Sequence, residues 1–291
     1  MELKHGYYHL IAILVVAIWG LTFIPTKVLI NHGLTPQEIF LYRFLIAYLG
    51  IWVISPKRLF AGNWKDELWL MAGGLFGGSL YFFTENTALG ITQASNVAFI
   101  ICTAPLLTTI LSLLFYKSEK ATKGLIYGSI LALIGVGLVV FNGSFVLKLS
   151  PVGDLLTLLA ALSWAFYSLV IKKMTGRYPT VFITRKIFFY GVLTILPAFL
   201  LHPLQPDFDV LLQPLVLSNL LFLAVLASLI CYILWNVVLK QLGTMRASNY
   251  IYLNPLVTMV ASVLILHEQI TWITLMGAAC IILGVYLAEK K

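Results

Sequence analysis

This chain of 291 residues is 60% hydrophobic and only 10% charged, whereas an ordinary soluble domain carries roughly a quarter of its residues as charges. The composition excludes a water-soluble globule and points to an all-α integral membrane protein with several spans. The net charge of +8 does not indicate nucleic acid, because the basic residues sit in short clusters between apolar runs.

About 20 apolar residues, rising about 1.5 Å each, cross a hydrocarbon core of about 30 Å. On that template the sequence predicts ten spans: His9–Ile30, Gln37–Ser55, Leu68–Leu89, Gln93–Tyr116, Gly124–Phe141, Pro151–Ile171, Val181–Leu201, Leu215–Leu239, Ala247–Leu266 and Thr271–Ala288. The first run is too long for the core of a signal peptide and reads as a retained span. Cys102, Cys231 and Cys280 all fall inside apolar segments, as packing residues do, with the spacing of neither a disulfide framework nor a zinc site. No metal or other cofactor is expected.

Charge fixes the expected orientation. With a cytoplasmic N-terminus, fourteen of the 19 basic residues fall in inside segments, and Lys148 is the one in an outside loop. Both termini are therefore expected in the cytoplasm.

The chain also repeats itself. Ala94-Ser95-Asn96 leads to Pro105-Leu106 and Glu119 in the first half, and Ala247-Ser248-Asn249 leads to Pro255-Leu256 and Glu268 in the second. Each glutamate is followed by a glycine pair, Gly128 and Gly135 or Gly277 and Gly284. The first span of each half matches as well: Lys27 follows Trp19 by eight residues, and Lys172 follows Trp164 by eight. The expected domains are thus two repeats, residues 1–145 and 146–291, of five helices each. An odd number of spans per repeat inserts the copies upside down relative to each other, which is a plan of secondary transporters with a site near the midplane.

These features resemble the drug/metabolite transporter superfamily and, within it, the ten-helix EamA-type transporters. The residues that carry the resemblance are Trp19-Gly20, Arg43-Phe44-Leu45-Ile46-Ala47 and the repeated Ala-Ser-Asn, Pro, Glu and Gly units. The resemblance implies a central cavity lined by the first, third and fourth helices of each copy, opened alternately to either side. It also implies a location in the bacterial inner membrane, small metabolites such as amino acids as export substrates, and a monomer or a homodimer through the fifth and tenth helices.

Charged residues inside spans are costly and mark functional or paired positions. Lys27, Arg43 and Glu85 fall at similar depth toward the outer side. They read either as a structural ion pair with a snorkelling lysine, or as a network that binds anionic groups or couples protons through Glu85. Arg185 and Lys186, near the inner end of the seventh span, read as interfacial anchors. Gly77, Tyr81 and Glu85 share one helix face, as do Trp164, Tyr167 and Ser168, and Ser228, Tyr232 and Asn236. With Trp19, Asn96, Asn249 and Tyr252 these aromatic and amide side chains are the candidate substrate contacts, suited to a small zwitterion or a flat apolar body with a polar end. The competing reading of each is interior packing or helix–helix glue. Pro105 and Pro255 are expected as hinges or static kinks. The glycine run Gly73-Gly74-Leu75-Phe76-Gly77-Gly78 lies in a span, lacks a following lysine, and reads as close helix packing rather than a phosphate loop.

Two other functions compete with a metabolite exporter. A carrier of phosphorylated or nucleotide-linked metabolites would use Lys27 and Arg43. An integral-membrane lipid-processing enzyme would need an acid–base pair or metal cluster at one depth, which the five scattered histidines do not offer.

Overall fold

The structure, a computed structural model, describes residues 2–55, 59–92, 94–116, 120–141, 150–200, 203–257, 259–260 and 271–289. Glu119, Glu268, Lys148 and the Asn142-Gly143-Ser144 sequon lie outside the described residues. The described residues form helices and turns and contain no strand.

Eight helical segments among them are long and apolar enough to cross a membrane: Gly6–Asn31, Pro36–Ile54, Asn96–Phe115, Lys123–Phe141, Pro151–Thr175, Thr180–Leu200, Pro214–Leu242 and Trp272–Glu289. They correspond to eight of the ten expected spans. The expected third span is helical as well, but in pieces: α4 (Trp64–Gly74), a π-helical segment (Leu75–Ser79) and α5 (Leu80–Ile91). The expected ninth begins with α14 (Thr244–Asn249) and a 3₁₀ turn (Tyr250–Leu253) and runs on beyond the described residues.

The other elements are α1 (Glu2–Gly20), α2 (Phe23–Asn31), α3 (Pro36–Ile54), α6 (Ala94–Ile101), α7 (Ala104–Phe115), α8 (Lys123–Phe141), α9 (Pro151–Thr175), α10 (Thr180–Ile195), α11 (Phe208–Leu211), α12 (Pro214–Leu221), α13 (Cys231–Leu242) and α15 (Trp272–Glu289). Between α12 and α13 the helix is again π-helical, over Phe222–Ile230. Local sequence sets several of these boundaries. Thr35 and Glu38 form a capping box ahead of α3, with Pro36 in its first turn. Asn63 caps α4 by accepting from the Asp66 amide at 2.8 Å.

Small residues bring the helices together. A Cβ added at Gly128 would lie 2.4 Å from the Gly284 carbonyl oxygen, and one at Gly135 would lie 2.6 Å from that of Gly277. The repeated glycine pairs therefore face each other within one chain, where α8 and α15 pack backbone to backbone. A dimer through these helices would have to use their other faces, which carry the exposed Tyr127, Ile134, Leu283 and Tyr286. The glycine run of the third span packs as its composition predicts. Gly73 lies against Ile187, Gly74 against Tyr190 and Gly191, and Gly77 against the Tyr167 ring, where an added Cβ would come within 2.2 Å.

Arg185 and Lys186 depart from the interfacial role expected of them. Both are buried, 2% and 3% exposed. Arg185 donates to the Ser55 carbonyl and Lys186 pairs with Glu67. Aromatic rings surround both side chains, Trp52 and Phe182 at Arg185 and Phe60, Phe189 and Tyr190 at Lys186. Just ahead of the third span, Asp66 takes Arg177 at 2.6 Å and the Tyr178 hydroxyl at 2.8 Å. Those contacts, the Tyr178 hydrogen bond first, hold its carboxyl below the ordinary 3.8. Burial pushes Glu67 up, but hydrogen bonds from Lys186, Tyr190 and the Ala61 amide outweigh it, leaving Glu67 below 4.5.

Candidate functional site

A cavity lies where the two halves meet, lined by Trp19, Thr22, Phe23, Arg43, Tyr81, Phe82, Glu85, Ile101, Ala104, Trp164, Tyr232, Ile251 and Asn254. Six of the residues expected from sequence stand in this wall: Trp19, Arg43, Tyr81, Glu85, Trp164 and Tyr232.

Aromatic rings make its frame. Trp164 stands edge-on to Trp19 at 5.2 Å and to Tyr232 at 6.0 Å, and leans on Tyr81 at 5.2 Å. Trp19 also meets Trp235 at 5.1 Å. Rings at these separations attract one another and offer wide apolar faces at little entropic cost. The Trp164 indole N–H is buried and finds no hydrogen-bond acceptor among the described residues. An orphan donor in a cavity wall costs free energy unless a ligand or water answers it.

Two opposite charges share the wall without meeting. Arg43 is 3% exposed and Glu85 8%, yet among the described residues no carboxylate lies within 4.0 Å of Arg43 and no cation within 4.0 Å of Glu85. The structural ion pair weighed from sequence is therefore not formed. Arg43 instead spends its Nε–H on the Ser228 hydroxyl and stacks its guanidinium 4.2 Å from the Phe82 ring centre. Both terminal guanidinium nitrogens are left without a hydrogen-bond acceptor among the described side chains, which is the fork a carboxylate fits. Glu85 accepts from the Tyr81 hydroxyl at 2.9 Å, leaving its second oxygen for another donor.

Lys27 does not join them. Its Nζ donates to the Leu89 carbonyl at 2.8 Å, near the carboxyl end of α5, and it does not line the cavity. A cation there satisfies carbonyls that the helix leaves open.

The remaining expected contacts lie behind the wall rather than in it. Tyr167 donates to the Asn236 side-chain oxygen at 2.6 Å, and Asn236 donates to Thr184 at 2.8 Å, so these three tie α9, α13 and α10 together. Asn249 accepts from Ser129 at 2.8 Å and donates to the Met245 carbonyl, joining α14 to α8. Asn96 and Tyr252 are buried in the core and do not line the cavity. Pro105 occupies the first turn of α7, after a break at Cys102–Thr103, where its missing N–H leaves no bond unmade. Pro255 likewise follows a change of helix type, from the 3₁₀ turn ending at Leu253.

Two π-helical segments flank the cavity at matching places in the two halves, and each is tied down from the other half. A π segment loosens the regular ladder of carbonyls and is common at functional sites. Here the Trp19 N–H donates to the Ala227 carbonyl at 2.9 Å. Ser163, beside Trp164, donates to the Phe76 carbonyl at 2.7 Å, and the Tyr232 hydroxyl to Gly77 at 2.6 Å.

Sequence reasoning missed Thr22, Phe23, Phe82, Ile101, Ala104, Ile251 and Asn254. The repeat held a usable signal for four of them. Ala104 and Asn254 immediately precede the repeated prolines, and Ile101 and Ile251 lie three residues before those. Thr22 and Phe23 follow Trp19 by three and four, the spacing of one helix face. Among the described residues no group of three His, Cys, Asp or Glu side chains is placed to hold a metal ion.

Known proteins share this sequence and architecture. The profile of the EamA-like transporter family matches twice, over residues 6–141 and 151–289. An "Uncharacterized transporter" of Archaeoglobus fulgidus is 29% identical over 287 residues, which is 97% of either chain. A "Probable amino-acid metabolite efflux pump" of Salmonella typhimurium is 29% identical over 300 residues, covering 99% of this chain and 95% of that one. Its counterpart of the same name in Escherichia coli is 27% identical over 297 residues, again covering 99% and 95%. A crystal structure superposes with a TM-score of 0.72 over 97% of this chain and 95% of that one, at 18% identity, and so shares the fold.

Proposed function

The chain belongs to the EamA-like transporter family, and from that premise we propose that this multi-pass membrane transporter exports amino acids, the aromatic and other apolar ones foremost, across the inner membrane. The observation that carries the reading is that Arg43 and Glu85 stand in one aromatic-walled cavity, each buried and the two not in direct contact. An α-amino acid brings both missing charges on one carbon. Its carboxylate suits the free guanidinium fork of Arg43, its ammonium suits Glu85, and an apolar side chain suits the faces of Trp19, Trp164 and Tyr232. The names of the Salmonella and Escherichia relatives point to the same class.

A phosphorylated substrate is less well served. Of the two cations expected to hold it, Lys27 bonds to Leu89 and Arg43 alone stands in the cavity. Alternating access follows from placing one such cavity between two related halves, with each half closing one side in turn. Glu85 is the group we propose for proton coupling, since an ammonium and a proton would compete for the same carboxylate.

The test is counterflow of tryptophan, leucine and glucose 6-phosphate in vesicles holding the purified protein. Tryptophan or leucine exchange should proceed, fall by at least tenfold in Trp164→Ala and Arg43→Gln, and lose its pH dependence in Glu85→Gln. Exchange of glucose 6-phosphate in place of the amino acids would overturn the substrate class. Wild-type tryptophan exchange in Trp164→Ala and Arg43→Gln would overturn the site.

A further inference from the structure

A second concavity lies at the lysine-rich end of the bundle, apart from the central cavity. It is an open groove bounded by Lys120, Thr122 and Leu125 at the start of α8, by Leu242 through Arg246 at the turn from α13 into α14, and by Ala288 near the end of α15. We propose that this groove holds the phosphate-bearing headgroup of an anionic membrane lipid.

Its two parts differ in chemistry. The floor is apolar: Leu125, Met245 and Ala288 form their own buried cluster, with Ala121 packed against it. The rim is cationic and polar, with Lys120, Thr122 and Arg246. Among the described residues no carboxylate lines it. The amino end of the 19-residue α8 opens on the same rim, adding partial positive charge where an anion would sit. The Thr244 hydroxyl, 2% exposed, borders the groove and finds no hydrogen-bond partner among the described residues.

The Lys120 charge is not spent elsewhere. Glu289, one residue past Ala288, pairs with His9 at 3.8 Å and lies within electrostatic reach of Arg246. Lys120 is exposed and, among the described residues, has no carboxylate within 4.0 Å. Lys120 therefore contributes the larger share. Position distinguishes a lipid from a soluble anion: the groove opens at the ends of membrane-crossing helices, and its apolar floor has nothing to offer a bare phosphate. Basic pockets at such helix ends are where anionic headgroups are held.

The experiment titrates the purified full chain in neutral detergent with dioctanoyl phosphatidylglycerol, dioctanoyl phosphatidylcholine and inorganic phosphate, reading Tm. Phosphatidylglycerol should raise Tm saturably and phosphatidylcholine should not. Lys120→Gln should weaken the apparent affinity about fivefold, and Arg246→Gln, whose charge Glu289 partly offsets, by less. Lys172→Gln, a basic residue at the same end stacked 4.3 Å over the Tyr116 ring, should leave it unchanged. Three results would overturn the proposal: an equal response to phosphatidylcholine, an equal response to inorganic phosphate, or an equal loss in Lys172→Gln, which would mean diffuse attraction to the basic end.

Discussion

Replacing Tyr232 by Phe removes one oxygen from the middle of the bundle and little else. The ring is 1% exposed and packs against Trp19, Trp164, Tyr167, Phe44 and Phe188 at centroid distances of 5.6–6.0 Å, contacts that a phenyl ring keeps. What disappears is the 2.6 Å bond to the Gly77 carbonyl, inside the first π segment. Leaving a buried acceptor short of its donor costs about 1–3 kcal/mol. On the scaling of soluble domains that is a fall in Tm of roughly 2–10 °C. Tyr232→Ala also deletes the ring and should cost about 3–5 kcal/mol more. The bond spans the two halves across the cavity, so a conformation that lacks it gains about 5- to 150-fold in relative population in Tyr232→Phe. Thermal unfolding of the purified protein measures the first quantity, and counterflow into vesicles reads the second. A Tyr232→Phe protein with wild-type Tm, or a Tyr232→Ala protein no less stable than Tyr232→Phe, would refute the assignment of Tyr232 as a buried tie.

The Glu67–Lys186 pair should behave as a buried ion pair does. Glu67→Gln leaves Lys186 without its carboxylate and should cost about 3–5 kcal/mol, whereas Glu67→Gln combined with Lys186→Met should recover most of that in the same thermal assay. Acid should act on the same end of the bundle. The folded values of Asp66 and Glu67 lie below the ordinary 3.8 and 4.5, so their stabilisation is complete above those values and is lost as pH falls through the folded ones. Tm should therefore drop below about pH 4.5 with a smaller drop in Asp66→Asn, and an identical acid profile in that variant would contradict the assignment. Gly284→Leu places a Cβ 2.6 Å from the Gly128 carbonyl and the Ala132 amide, both of them backbone. It should prevent α8 and α15 from closing, seen as loss of monodisperse protein on size-exclusion chromatography, while Leu283→Ala on the exposed face should not.

How much of this was legible in the sequence follows from what each signal measures. Hydropathy reports burial in lipid, so it found the eight uninterrupted spans and the third as well, but not the π segment that divides the third into pieces. Helical spacing reports which residues share a face, so it grouped Gly77 with Tyr81 and Glu85, and Ser228 with Tyr232 and Asn236. It could not say how far each face turns toward the cavity. Two adjacent aromatics of α9 make the point: Trp164 lines the cavity, while Tyr167, three residues on, turns to Asn236 and fills the space beside Gly77. Depth alone could not choose a partner for Lys27, which found the end of α5 closer than either Arg43 or Glu85. Nor could the sequence anticipate that Arg185 and Lys186 would be sealed by neighbouring segments, because that depends on how α10 packs against α3 and α4.

The matching faces of the third and eighth spans explain why the two halves need each other. Gly77-Tyr81-Glu85 and Ser228-Tyr232-Asn236 share the same spacing, and each begins in a π segment. Each is tied across the interface: Trp19 donates to the Ala227 carbonyl, Ser163 to that of Phe76 and Tyr232 to that of Gly77, and Arg43 donates to the Ser228 hydroxyl. Three of these donors, Trp19, Arg43 and Tyr232, also stand in the cavity wall, and Ser163 adjoins a fourth wall residue, Trp164. A ligand that displaces those rings must therefore strain the bonds that fix the π segments, and a shift of either segment must reshape the wall. Differences within the repeat then supply what a symmetric cavity would lack. Glu85 stands where the second copy has Asn236, and Asn254 where the first has Ala104, so one wall carries a charge and the other an amide. With Arg43 on the adjoining α3, that asymmetry gives the cavity a positive and a negative pole, and a ligand bearing both charges has one orientation in which it satisfies them.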